Sequence, residues 1–255
     1  MIGISGDPFD TIGQKFTQGA DIFIFTGGES DKWVEEVLKA SENEDAKVIN
    51  LMESLGEENL YCAEAVAGSH DHEEEGHEHA HDEHIWLSLK NASLMTKIIC
   101  DALISIDEEN KEAYELNLAS YNEKLSALDK RYENMVNNAD KTTVVVADRF
   151  PFVYLMNDYG INYHAAFSGC SAESEASFET VKRLAQETDI AELRYIIITE
   201  TSDGSVAKTV KDATKNKNQE ILTLNSMQSV TKDRLESSYL KIMEDNLITL
   251  SLALS

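Results

Sequence analysis

Basic residues are scarce in this chain: 22 Lys and Arg stand against 47 Asp and Glu, a formal charge of −25 over 255 residues. Such a surface repels phosphate backbones and anionic headgroups while concentrating cations, which argues against nucleic acid and membrane-surface partners. Proline is nearly absent, with two residues, so little breaks the helices and strands. The three cysteines, Cys62, Cys100 and Cys170, cannot all pair within one chain, and none sits in the CxxC spacing of a zinc ribbon or redox pair. A Cys62–Cys170 disulfide stays open for an exported protein. No run approaches the roughly 18 apolar residues of a membrane span, and the opening MIGISGDPFD lacks the basic region and apolar core of a secretory signal. HExxH, GxSxG and a glycine-rich phosphate loop are missing too, which removes the sequence grounds for a hydrolase.

With 42% hydrophobic residues, the chain can bury a core large enough for one big domain or two lobes, and two lobes are expected. Ala20–Thr26, ADIFIFT, is a short apolar run bounded by Gly19 and Gly27-Gly28, the pattern of a buried strand. A helix follows from about Ser30, where Trp33, Val34, Val37 and Leu38 recur at helical spacing, and Ala46–Asn50 reads as the next strand. Such alternation argues for parallel sheet covered by helices. From Asp107 to about Ala139, Tyr114, Leu118, Tyr121, Leu125, Leu128 and Tyr132 fall at steps of three and four without Gly or Pro, predicting one helix of about 30 residues. A bundle helix is the plain alternative, but strand–helix alternation on both sides favours a spine between lobes. Beyond it, strands are predicted at Thr142–Ala147, Ile161–Ala166, Tyr195–Thr199 and Glu220–Leu224. Helices are predicted from Phe152, across Ser177–Glu187, near Val206–Thr214 and from about Lys232. The expected fold is therefore α/β: two βα lobes with parallel sheets, residues 1–106 and 141–255, joined by one long spine helix across 107–140.

Ser69–His84 reads SHDHEEEGHEHAHDEH, with no apolar periodicity, and is expected to be a loop. It carries His70, His72, His77, His79 and His81, with His84 at its end. Neutral imidazole is a good ligand for zinc, copper and nickel, so these five histidines are candidates for auxiliary metal capture. An acidic low-complexity insert is the bland reading, and a loop alone does not fix a coordination geometry. His84 differs, because DEHIWL passes abruptly from polar loop into Ile85-Trp86-Leu87, which positions the ring. Taken alone, a histidine at such a junction is more often a cap or a surface residue.

ADIFIFTGGESDKWV at Ala20–Val34, the His-rich acidic loop, DEHIWLSLKNA at Asp82–Ala92 and the long helix together resemble the zinc and manganese substrate-binding proteins of bacterial ABC importers. The later segments ADRFPFVYLMNDYG, AAFSGCSAESEASFETV and ILTLNSMQSV are similar to one branch of that family. The resemblance implies two α/β lobes on a rigid helix, with a metal in the cleft between them, and makes His84, in the motif D-x-H-x-W-L, the first-lobe ligand. It departs from the family at the start: the usual N-terminal strand and helix are missing, and Phe9 in Asp7-Pro8-Phe9-Asp10 stands where a histidine is expected. From the second lobe the family supplies a His or Glu near VVVADRFPF and an acid near LTLNSMQ, where this chain offers Asp148 and Asn225. Asp148 beside Arg149 also reads as an ordinary ion pair, and Asn225 is a poorer zinc ligand than a carboxylate. His164, the sole histidine of the second half, lies at the end of a predicted strand, where α/β proteins place ligand groups, or else packs in the core. Glu200 after YIIIT shares that strand-end logic, and Glu173 and Glu175 lie in a loop that could also approach the cleft. The implied cargo is Zn2+, with Mn2+ less favoured because it prefers oxygen-rich sites. The implied partner is an ABC permease, the setting extracytoplasmic with the export signal absent from this chain, the state monomeric, and catalysis excluded by a closed metal shell. An intracellular zinc buffer using the His-rich loop is the rival reading.

Overall fold

The computed structural model describes residues 19–41, 43, 45–62, 81–169, 175–229 and 237–255. The first half opens with β1 (Ile22–Phe25) and α1 (Trp33–Ala40), then β2 (Lys47–Asn50) and the short α2 (Leu51–Leu55). Asn50 ends the strand and starts the helix, since its side-chain oxygen accepts the Glu53 amide at 3.2 Å. β1 and β2 pair in parallel, Ile22 opposite Lys47 and Phe25 opposite Asn50, so the connection must cross over through α1. After a 3-10 turn at Ile85–Leu87, Ser88 caps α3 (Leu89–Ile106) by accepting the Asn91 amide at 3.0 Å.

The long helix is α4 (Lys111–Asn137). Its apolar stripe delivers Leu125, Leu128 and Tyr132 to the core. Tyr132 stacks on Tyr159 with ring centroids 4.8 Å apart and donates to the Met243 carbonyl at 2.6 Å. Beyond α4 come β3 (Thr143–Phe150), α5 (Val153–Tyr159), β4 (Asn162–Ser168), α6 (Phe178–Ile190), β5 (Tyr195–Thr199), α7 (Ser205–Ala213), β6 (Glu220–Leu224) and α8 (Tyr239–Ala253). The four strands form one parallel sheet in the order β4-β3-β5-β6.

Successive residues of β3 point to opposite faces. Val144 and Val146 enter a core shared with Leu125, Phe150 and Leu224, whereas Val145 and Ala147 pack with Leu184, Ile196 and Val210 beneath α6 and α7. The first of these cores is continuous across the molecule: it runs from Met52, Leu55 and Ile85, through α4, to Leu250 and Leu254. The expected α/β architecture, with parallel sheets on either side of a long helix, is what forms. The terminal helix starts at Tyr239 rather than near Lys232, and residues 230–236 lie outside the described residues. So do Phe9, Cys170, Glu173 and the loop histidines His70, His72, His77 and His79. No helix among the described residues is long and apolar enough to cross a membrane.

Candidate metal site

Asp82, Glu83 and His84 are all buried, a costly placement that polar partners must offset. Asp82 Oδ1 accepts the His84 backbone amide at 2.9 Å and lies 2.8 Å from His84 Nδ1. A carboxylate only accepts, so the ring proton sits on Nδ1 and the lone pair on Nε2. An acid that orients imidazole in this way also raises its basicity as a ligand. Asp82 is held in turn: its amide donates to the Tyr61 carbonyl at 2.9 Å, and its carbonyl accepts the Tyr154 hydroxyl at 2.8 Å. Burial pushes the Tyr154 phenol well up, which keeps that proton in place.

Glu83 points the other way, accepting the Ser30 amide at 2.8 Å. This fastens the loop after β1 to the junction at Gly28, where φ is 85° and a Cβ would come within 2.6 Å of Glu83 Cγ. Gly169, past the end of β4, is similarly obligatory, because a Cβ there would stand 2.9 Å from the Phe150 carbonyl and 3.1 Å from His84 Cε1.

The second half reaches the ring through one polar chain. Gln228 Nε2 lies 2.7 Å from His84 Nε2. Trp86, edge-on to His84 with centroids 5.3 Å apart, donates its indole N–H to the Ser226 carbonyl at 2.9 Å. The Ser226 amide donates to Glu200 Oε2 at 2.8 Å and its hydroxyl to Glu200 Oε1 at 2.9 Å. Tyr239 completes the clamp by donating to the Trp86 carbonyl at 2.9 Å.

Of the residues singled out in the sequence, His84 and Glu200 are thus brought into one hydrogen-bonded chain. His164 is not at a strand end: it pairs with Val145 in the first half of β4, four residues or roughly 13 Å before Ser168, and its Nε2 meets Glu187 of α6 at 3.5 Å. The run Ile161–Ala166 suggested an ending that β4 continues past. Asp148 does lie toward the carboxyl edge, but its Oδ2 accepts the Thr199 amide at 3.1 Å and hydroxyl at 2.7 Å, and its Oδ1 the Arg149 amide at 2.8 Å. That carboxylate ties β3 to β5 where β3 slips register against β4. Asn225 is a turn residue, exchanging backbone bonds of 2.8 Å with the Asn246 side chain. His81 faces Cys62 across an isolated antiparallel bridge, its Nδ1 buried without a hydrogen-bond partner. Among the described residues, no three His, Cys, Asp or Glu side chains converge into a ready metal shell.

Residues 14–253 match the family described as "Zinc-uptake complex component A periplasmic". The chain belongs to this zinc-uptake family. Curated relatives include the zinc-binding lipoprotein AdcA of Streptococcus pneumoniae, 32% identical over 233 residues that cover 90% of this chain and 45% of the relative. The high-affinity zinc uptake system protein ZnuA of Bacillus subtilis is 29% identical over 242 residues, 90% of this chain and 70% of that one. The crystal structure of the Zn(II)-bound ZnuA-like domain of the pneumococcal AdcA superposes with a TM-score of 0.72 at 25% identity, covering 98% of this chain and 85% of that one. This member of the zinc-uptake family spans about half the length of its streptococcal relatives.

Sequence reasoning missed Gln228, Ser226 and the tie from Trp86 across the molecule. The position of Gln228, a few residues past β6 at the sheet's carboxyl edge, was the available signal.

Proposed function

We infer that this protein captures zinc outside the cytoplasm and hands it to the permease of an ABC importer, without chemical turnover. The observation that carries the reading is the His84 side chain, only 3% exposed, fixed in one tautomer by Asp82 and met at Nε2 by a chain from the second half that ends on Glu200. Imidazole nitrogen and a carboxylate are zinc donors, and manganese would ask for more oxygen. His84 is the first ligand in this account and Glu200 the carboxylate that joins it. Asp148 and His164 are engaged by Thr199 and Glu187 instead, and neither belongs to the zinc shell in this account. Residues 1–106 and 141–255 act as lobes joined by 107–140, and the histidines of the acidic loop, with His81 following them in sequence, serve auxiliary metal capture. The names of the pneumococcal and Bacillus relatives, a zinc-binding lipoprotein and a zinc uptake protein, support the same cargo and setting.

Calorimetric titration with zinc and with manganese tests this on the intact chain, a form lacking residues 69–80, and His84→Ala. One tight zinc event is expected in the first two forms, with manganese weaker in both, and its loss in the third. Equal zinc binding by all three would overturn the assignment.

A further inference from the structure

The Gln228 amide sits on the one atom that the proposed zinc site needs most. With the ring proton committed to Asp82, His84 has a single lone pair, on Nε2, and Gln228 Nε2 approaches it at 2.7 Å. An acceptor nitrogen demands a donor, so the amide N–H points at the ring. A zinc–nitrogen bond is about 2.0–2.1 Å long and uses the same lone pair along the same direction. Amide and cation therefore exclude each other.

Exposure gives the contact its direction. The His84 ring is buried, whereas Gln228 is exposed, so the amide covers Nε2 from the solvent side. Its carbonyl oxygen lies 3.2 Å from the Ser226 hydroxyl, the same hydroxyl that reaches Glu200 at 2.9 and 3.1 Å. One hydroxyl proton serves two acceptors. When Gln228 leaves, that proton goes wholly to Glu200 while Nε2 is freed. The backbone need not follow, because Asn225 remains pinned to Asn246 and the Met227 amide to Asn225 Oδ1 at 2.8 Å. Rotation of one exposed side chain is enough.

We propose that Gln228 is an internal competitor for the cation: its amide caps the His84 Nε2 lone pair in the empty receptor, lowers the affinity, and recaps the nitrogen as the ion departs. Such a cap suits a receptor that must give up its cargo, since the bond re-formed with Gln228 offsets part of the coordination lost. The proposal rests on the zinc reading above and adds how that site is set.

The test uses wild type, Gln228→Ala and His84→Ala, with zinc titration and with the rate of zinc loss to a chelator. One net hydrogen bond removed from the empty state predicts that Gln228→Ala binds zinc about three- to tenfold more tightly. Zinc loss from Gln228→Ala is expected to be slower than from wild type. In the metal-free proteins, nitrogen-15 spectra of the imidazole should show the Nε2 resonance of His84 moving in Gln228→Ala while Nδ1 stays. Weaker binding in Gln228→Ala would make the residue a ligand rather than a cap, and unchanged binding or an unmoved Nε2 resonance would make it a bystander; either result overturns the proposal. If His84→Ala binds zinc like wild type, the reading of the site itself fails and the cap with it. Dependence on His84 without the Gln228 effect sinks the cap alone.

Discussion

At the Asp82–Ser88 junction the His84 side chain is 3% exposed and engaged at both nitrogens, at 2.8 and 2.7 Å. In β4 the same side chain, at His164, is 34% exposed and meets Glu187 at 3.5 Å. The difference lies in what has been settled before any ligand arrives. His84 has its tautomer, ring plane and the direction of its Nε2 lone pair fixed by the fold, so little rotamer entropy is left to lose on coordination. The ring of His164 keeps much of that freedom and borders a helix face. Imidazole on a sheet is not a site until something orients it.

The sharpest way to break this contrast is to delete each ring. His84→Ala is expected to weaken zinc binding by two decades or more, about 2.8 kcal/mol, and His164→Ala to leave it unchanged, both read by calorimetry. An equal loss in the two variants would erase the distinction. Asp82→Asn keeps the shape but exchanges the acceptor that fixes Nδ1–H, and about a tenfold loss of zinc affinity is expected from the same titration. Trp86→Phe removes the indole bond to the Ser226 carbonyl while keeping an apolar ring; about 1 kcal/mol of stability, seen as a melting temperature lower by about 2–4 °C, should go with it.

A smaller effect is expected at the end of the junction, where the Ser88 hydroxyl donates to Asp158 at 2.6 Å. Burial pushes the Asp158 carboxyl up, and the Ser88 bond only partly opposes this. A raised folded-state pKa favours the protonated form, so the contribution is fully present below the usual carboxylate range and is lost as pH rises through the raised value. Asp158→Asn, which still offers Ser88 an acceptor, should therefore improve relative to wild type between pH 4 and pH 7 in thermal melts. Least of all should follow from Glu187→Gln, because a half-exposed pair contributes little: a change in melting temperature within about 1 °C and no change in zinc affinity.

The parts of the fold that could be read in advance are those whose pattern is local. Tyr195–Thr199 and Glu220–Leu224 are strands at the predicted residues because short apolar runs between turn-forming residues have few other uses. The stripe from Tyr114 to Tyr132 declares its helix by spacing alone. Less legible was α2, a single turn started by the side chain of Asn50, too short for periodicity to register. The candidate site divides in the same way. His84 stood out through the resemblance of DEHIWL to the family motif, since the junction alone reads as readily as a cap, and Glu200 because it follows an apolar strand. Gln228 and Ser226 lie in NSMQS, a stretch without apolar periodicity where the resemblance pointed to an acid and Asn225 was weighed instead, and their partners His84 and Trp86 are far away in sequence. His164 falls inside its strand rather than at the end because β4 carries on through Phe167 and Ser168 after the predicted run stops.

The core that runs unbroken from Met52 to Leu254 makes the two halves one cooperative unit rather than a pair of bodies on a hinge. Prising them apart would expose Ile85, Leu125 and Tyr132 to water together, so thermal motion has to find smaller outlets. Exchange of the proposed zinc would then be confined to side chains and turns at the rim, on the scale of a single rotating amide. On the proposed function, a permease would then empty the site by gripping that rim rather than by parting the halves.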